Sequence, residues 1–375
     1  MKSLPKNTLE IAATYVKFYE AYERAKADKT NKPEVIRFER HLAANLFKLM
    51  GEAKAGTYTP SPYRTIIVHE PKTRTIHALP FRDRVLHQWY VGEFILPFFV
   101  PRFVTTSYAC IIKRGTHGAL RQTKQYLRQA IREYQDPYIL KMDIAGYFYH
   151  IDKDILYHLV TKKIKDPRLK ALTHTIIHDG FDGIEGIPIG NYTSQYFANI
   201  YLNELDQHIK RVMKIKFYLR YMDDFILIVE GKAAAKQAFT DIKNFVGEKL
   251  KLDLNRKSHY YPARYGIDFV GYITFKDFVL LRKRAKRKAK LIVKHFKKSK
   301  DEDDFYLRAN SWLGHAAHAD TFKLRSKYFA EYKNILDAHI WEAGKTPKTP
   351  KKPRRNRPTT TPPSSNPTTP SLSTY

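Results

Sequence analysis

Two apolar runs, Phe217-Tyr218-Leu219 and Phe225-Ile226-Leu227-Ile228-Val229, flank the tetrapeptide Tyr221-Met222-Asp223-Asp224. Short apolar runs of this kind read as strands, and the polar interruption as the turn joining them. The turn then forces two carboxylates together. Side by side at about 4 Å and an effective dielectric of about 20, they repel by roughly 4 kcal/mol, a cost that a divalent cation turns into attraction. Hard oxygen donors suit Mg²⁺. Taken alone, the tetrapeptide is equally a polar hairpin turn, because Asp favours turns for local reasons.

A pair of metals needs a third carboxylate. In Tyr138-Ile139-Leu140-Lys141-Met142-Asp143-Ile144-Ala145-Gly146-Tyr147-Phe148 a β-type apolar segment delivers Asp143 at its end, where a strand entering a turn exposes a ligand. Asp136, Asp152 and Asp154 lie nearby and read as helix caps or solvated charges. Between Asp143 and Asp223, Gly186-Ile187-Pro188-Ile189-Gly190-Asn191-Tyr192-Thr193-Ser194-Gln195 opens the helical pattern Phe197, Ile200, Tyr201, Leu205. Glycines beside a helix start let backbone approach a ligand closely, although an ordinary capped loop would look similar.

Six segments in order resemble the successive motifs of reverse transcriptases: Lys72-Thr73-Arg74; Asp143 with Phe148; Pro188-Ile189-Gly190 to Ser194-Gln195; Tyr221-Met222-Asp223-Asp224; Leu252-Asp253-Leu254 to Lys257; and Phe269-Val270-Gly271-Tyr272. The likeness covers roughly residues 50 to 340, and an ordered set is far more specific than any one member. The form Ile-Gly-x-x-x-Ser-Gln, where most of the superfamily has Gln-Gly-x-x-x-Ser-Pro, looks like the branch found in diversity-generating retroelements. Arg114-Gly115-Thr116-His117 and Ser311-Trp312-Leu313-Gly314-His315 are similar to the same branch.

The resemblance implies an α+β right-hand polymerase fold with fingers, an antiparallel palm and a helical thumb. It implies that Asp143, Asp223 and Asp224, with the backbone carbonyl of Ile144, bind two Mg²⁺ ions, for which Mn²⁺ could substitute. One ion would activate a primer 3′-hydroxyl and the other would hold the incoming dNTP. Lys72 and Arg74 would grip the triphosphate. Phe148 would exclude a ribose 2′-hydroxyl, and Ile189, Gly190 and Gln195 would line the nucleotide site. Lys257 would protonate the leaving pyrophosphate. Arg114, Phe269, Gly271, Tyr272, Lys283, Arg284 and Arg287 would contact primer or template. Ile189 is aliphatic where most members carry Gln, which removes a polar check on the new base pair and, in this branch, goes with misincorporation opposite template adenine.

A formal net charge of +30 fits a partner rich in phosphates. The run Arg282-Lys283-Arg284-Ala285-Lys286-Arg287-Lys288 reads as the start of a basic helix that would lie along a duplex. Cys110 is the single cysteine, so an intrachain disulfide and a cysteine zinc cluster are excluded, and a reducing cytoplasm fits. The first residues lack the apolar centre of a signal peptide, and Phe94 to Val104 is short and broken by proline, so no membrane association is expected.

Along the chain we expect a helical lead-in over 1–55, fingers and palm over 56–275, a thumb over 276–343 and a disordered basic Pro/Thr-rich tail over 344–375. Helices are expected over Ala119 to Glu133, Ala233 to Lys249, Lys283 to Lys298 and Phe305 to Trp341. No RNase H domain, His/Asn nuclease or protease is expected after the thumb. The resemblance implies as partners a structured template RNA, the RNA/cDNA duplex and a small basic oligomeric accessory protein. Another bacterial reverse transcriptase, such as a phage-defence enzyme, is the alternative; a catalytically idle RNA-binding scaffold is the third, and it predicts damage to the acid triad.

Overall fold

The structure, a computed structural model, describes residues 3–69, 73–179 and 185–336. The fold is α+β, as the sequence predicts, with antiparallel sheets. Nine strands are described: β1 Arg64–Val68, β2 Arg74–Ala78, β3 Pro137–Asp143, β4 Phe217–Tyr221, β5 Asp224–Glu230, β6 His259–Pro262, β7 Ile267–Phe269, β8 Tyr272–Thr274 and β9 Val279–Leu281. They form a hairpin β1-β2, a four-stranded sheet ordered β4-β5-β3-β6 and a three-stranded sheet β7-β8-β9.

The four-stranded sheet is buried on both faces, which is why its strands read as unbroken apolar runs rather than alternating ones. Ile139, Phe217, Leu219, Ile226 and Ile228 share one core with Ala119, Leu127 and Ala130 of the Thr116–Glu133 helix. The alternate residues Leu140, Met142, Tyr218, Phe225 and Leu227 belong to the larger core, with the helices Tyr192–Gln207 and Gly231–Leu250. Each such side chain, fully buried, contributes about 1.5–3 kcal/mol, so a one-residue slip in β5 would misplace every one of them.

The N-terminal lead-in is helical over Thr8–Ala12, Tyr15–Lys26, Pro33–Glu39 and Leu42–Ala55. The helices expected near 119–133, 233–249 and 283–298 are present as Thr116–Glu133, Gly231–Leu250 and Lys283–Ser299. The helical pattern expected from Phe305 to Trp341 is corrected. Two helices, Glu302–Ala316 and Phe322–Phe329, are separated by a short non-helical segment. There Asp320 leaves helical geometry to pair with β9, accepting from the Val279 N–H at 2.7 Å and donating its own to the Val279 carbonyl. The expected tail over 344–375 lies outside the described residues.

The chain divides into two compact units. Of the described residues, one unit comprises those up to 287 with 318–321; the other comprises 288–317 with 322–336. All three sheets lie in the first. In the second, Phe296, Phe305, Trp312 and Phe329 pack ring against ring. Among the described residues no helix is long and apolar enough to cross a membrane.

Candidate active site

Register does what the sequence could only suggest. β3 and β5 run antiparallel with Asp143 directly opposite Asp224, and β4 pairs with β5 so that Tyr221 faces Asp224 as well. Asp143 and Asp224 therefore end adjoining strands at one edge of the sheet. Asp223 stands in the two-residue turn, beside Met222, whose φ of 59° is left-handed. A non-glycine residue there costs on the order of 1 kcal/mol or more, so the surroundings must hold it.

The support is Arg220. Fully buried, it forms a two-pronged ion pair with buried Asp206, Nε to Oδ1 at 2.7 Å and Nη2 to Oδ2 at 2.6 Å. Its remaining Nη1 donates to the Asn199 side chain at 3.0 Å and to the Met222 carbonyl at 2.9 Å. Tyr218 Oη donates to the same Asp206 at 2.6 Å. Sequence reading passed over Arg220 and Asp206. An Arg inside an otherwise apolar strand was the available signal, because a lone buried charge is untenable without a partner.

Burial of Asp223 raises its pKa, the charge of Asp224 raises it further, and Arg74 and Arg220 work against both. Arg74, at the start of β2, is thus near enough for its charge to be felt at Asp223. Burial likewise raises the pKa of Asp224, opposed chiefly by Lys141, whose Nζ lies 2.6 Å from Oδ1. Asp143 accepts from Asn255 Nδ2 at 3.1 Å, while its carbonyl accepts the Asn255 N–H at 2.7 Å. Ser258 Oγ accepts the Asp143 N–H at 3.1 Å. Lys141, Asn255 and Ser258 were not singled out from the sequence; their roles depend on strand neighbours far away in the chain.

The donor chemistry fits a hard divalent cation: Asp143 and Asp224 lie opposite one another at one end of the sheet with Asp223 in the adjoining turn, and burial disfavours the uncompensated charge of Asp223 and Asp224. Asp224 is engaged by Lys141 and Asp143 by Asn255. Among the described residues no three His, Cys, Asp or Glu side chains converge closely enough to hold a metal.

The glycine-bearing loop joins this edge. The Ile187 N–H donates to the Phe148 carbonyl at 2.8 Å, and the His77 N–H of β2 donates to the Ile189 carbonyl at 3.0 Å. Asn191 Nδ2 donates to Tyr63 Oη at 2.9 Å. Asp143 to Phe148, the loop and the β1-β2 hairpin are therefore directly bonded neighbours. Gly186 and Gly190 both have left-handed φ, and a Cβ on either would meet atoms at 2.2 Å (the Phe148 carbonyl oxygen) and 2.7 Å (Ile76 Cγ2) respectively. Gln195 is exposed on the following helix, whereas Ile144 is buried and bridges Leu254.

Other expected residues are placed as follows. Lys257 is exposed, two residues beyond Asn255. Phe269 and Tyr272 are buried at the ends of β7 and β8, leaving the intervening turn with Gly271 as the outward part of that hairpin. Arg114 donates to the carbonyls of Val104 and Ser107, at 2.8 and 2.7 Å, and so braces that segment from within. Lys283, Arg284 and Arg287 are exposed on their helix. Lys72 lies outside the described residues. Asp152 caps the Lys153–Thr161 helix, and Asp154 pairs with His178.

The family described as reverse transcriptase (RNA-dependent DNA polymerase) matches residues 67–274. Protein YkfC of Escherichia coli is 27% identical over 290 residues, covering 66% of this chain and 74% of that protein. The group II intron-encoded protein LtrA of Lactococcus lactis is 28% identical over 302 residues, covering 60% of this chain and 49%, about half, of its own length. A solved structure of apo telomerase from Candida tropicalis is similar at 11% identity and a TM-score of 0.46, covering 74% of this chain and 61% of that one.

Proposed function

The chain belongs to the reverse transcriptase family of RNA-directed DNA polymerases, and on that premise we propose that it serves a diversity-generating retroelement, copying a template RNA into cDNA with errors concentrated opposite adenine. The observation that carries this reading is Ile189. An aliphatic side chain stands at the start of Ile-Gly-x-x-x-Ser-Gln, in the loop bonded both to the Asp143–Phe148 segment and to the β1-β2 hairpin.

Reverse transcriptase domains use divalent metal ions; here Asp143, Asp223 and Asp224 would hold two Mg²⁺, which supply activation of a primer hydroxyl and neutralisation of triphosphate charge. The residues of the chain do the rest. Arg74 would present fixed positive charge to the triphosphate, a role the resemblance also implies for Lys72, and the field of Arg74 already keeps Asp223 closer to the ionised form. Arg220 fixes the Met222 carbonyl and hence the direction in which Asp223 projects. Phe148, locked through its carbonyl to Ile187, would close the space beside C2′ of the sugar and select deoxynucleotides. Lys257 would donate a proton to pyrophosphate. The β7-β8 turn would grip the primer through backbone at Gly271, and Lys283, Arg284 and Arg287 would follow the duplex phosphates. A structured template RNA and a small basic accessory protein would complete the assembly.

The test is primer extension on an RNA template with dNTPs and Mg²⁺, in parallel with Asp223→Asn/Asp224→Asn, followed by sequencing. Product from the parent alone, with substitutions concentrated opposite adenine, is the expected result. Accurate cDNA would move the chain to another branch of the family, such as phage defence. No product even with cognate RNA and accessory protein would refute the catalytic assignment of these carboxylates.

A further inference from the structure

Outside the site just described, a cavity of about 590 Å³ opens among the segment from Phe98 to Thr106, the end of the Lys153–Thr161 helix and the far half of the Tyr192–Gln207 helix with its continuation to Arg211. All of its lining belongs to the first compact unit. The volume falls within the roughly 300–1,000 Å³ range of small-molecule sites.

The lining has two chemistries. Phe98, Phe99, Phe103, Leu159 and Ile200 are each buried and give it an apolar floor. Five cations, Arg102, Lys162, Lys163, Lys210 and Arg211, surround that floor against one carboxylate, Glu204, and Arg102 donates to the Phe98 carbonyl and lies over the Phe98 ring. Glu204 is taken up by Lys162 at 3.1 Å, and Lys210 donates to the carbonyls of Ile215 and Lys216. Lys163 and Arg211 are exposed with no carboxylate within ion-pair distance among the described residues. Thr106, also in the lining, is 6% exposed, and its Oγ1 has no hydrogen-bond partner among the described residues. A buried hydroxyl left unpaired costs about 1–3 kcal/mol, so this wall has an unmet demand for a polar group.

We propose that the cavity binds a small amphipathic anion, an apolar body ending in one carboxylate, sulfonate or phosphate. The apolar body fills the phenylalanine floor, and the anionic end meets Lys163 and Arg211. The proposal does not rest on the polymerase reading: none of the lining residues belongs to the acid cluster, although the Thr106 carbonyl accepts the Arg220 N–H at 3.0 Å.

The probe is 8-anilinonaphthalene-1-sulfonate, titrated into the full chain by fluorescence and displaced with dodecanoate or with uncharged dodecan-1-ol. We expect saturable binding, displaced about tenfold more effectively by dodecanoate. Lys163→Glu/Arg211→Glu should weaken probe binding about tenfold, while Arg128→Glu/Arg132→Glu, the same charge change on exposed positions of the Thr116–Glu133 helix, should leave it unchanged. Equal effects of the two charge pairs would show general attraction to a basic surface and overturn the proposal. So would insensitivity to both, or equal displacement by the alcohol. Both pairs replace exposed residues, so a matched thermal midpoint separates lost binding from lost folding.

Discussion

Arg220 donates to the carbonyl of Met222 at 2.9 Å, while its Nε and Nη2 are committed to Asp206. One side chain thus has two separable duties: neutralising a buried acid and holding a left-handed turn that carries two carboxylates. Arg220→Met alone should destabilise the fold by about 3–5 kcal/mol, because Asp206 is left as an uncompensated buried charge. Arg220→Met/Asp206→Leu should recover most of that loss in urea unfolding, less the hydrogen bond from Tyr218. Primer extension should stay far below the parent in both, since neither restores a donor to Met222. A double variant that regained both stability and rate would confine Arg220 to charge balance.

Lys141 holds Asp224 at 2.6 Å, placing a fixed ammonium on an oxygen that a divalent cation would use. Ammonium and metal compete for one acceptor. At about pH 8, where the carboxylate is ionised, Lys141→Met should lower the Mg²⁺ concentration giving half-maximal extension several-fold, and Lys141→Arg should not. Titrating Mg²⁺ at saturating dNTP reads this directly; identical curves for all three proteins would mean that Lys141 does not contend with metal.

Gly186 and Gly190 differ in what surrounds them, and the difference predicts different failures. A Cβ at Gly186 would lie 2.2 Å from the Phe148 carbonyl oxygen, a backbone atom that cannot step aside. Gly186→Ala should cost roughly 3 kcal/mol or more. At Gly190 the nearest atom is Ile76 Cγ2, on a hairpin with exposed faces that can shift. Gly190→Ala should cost about 1–2 kcal/mol yet raise KM for dNTP, because it levers β2 and Arg74 away from the loop. Denaturant midpoints and steady-state kinetics separate the two.

Much of this arrangement was legible in the sequence because it is local. The apolar runs around Asp223-Asp224 specify strand, turn, strand, and Asp143 closes a third such run. What was not legible depends on register across long separations. Opposition of Asp143 and Asp224 comes from pairing strands some eighty residues apart, enforced by burial on both sheet faces. Asn255, two residues before Lys257, binds Asp143 through both backbone and side chain, across a separation of more than a hundred residues. The resemblance implies that Arg114 contacts primer or template, and nothing in the sequence signals that its Nη1 also donates to two internal carbonyls. Composition cannot distinguish a solvated arginine from one buried under a turn.

His87 gives the fold a pH dependence of predictable sign. It is buried against Thr193, with Nδ1 2.8 Å from Oγ1, and burial pushes its pKa down to about 3 from an ordinary value of 6.5. Between those values the unfolded chain binds a proton that the folded chain refuses. Stability is therefore fully present above about pH 6.5 and is lost as pH falls towards 3. At pH 5 the loss is on the order of 2 kcal/mol. His87→Gln should be less stable near neutrality but should lose less on going from pH 7 to 5; parallel urea midpoints for parent and variant would mean that His87 is solvated.

Ile189 is held through its backbone, because its carbonyl takes the His77 N–H at 3.0 Å. Changing its side chain should therefore leave the loop and hairpin in place, which makes the position a clean test of base discrimination. Ile189→Gln supplies an amide where the parent has only methyl and methylene groups. If that amide reports on the new base pair, errors opposite template adenine should fall about tenfold, equivalent to about 1.4 kcal/mol of added discrimination. Extension of matched termini should be retained, with a thermal midpoint close to the parent's. Sequencing cDNA from both enzymes on one template decides it: identical spectra would remove Ile189 from the account of fidelity, and a fall in errors at all four bases would point to slower extension rather than to a restored polar check.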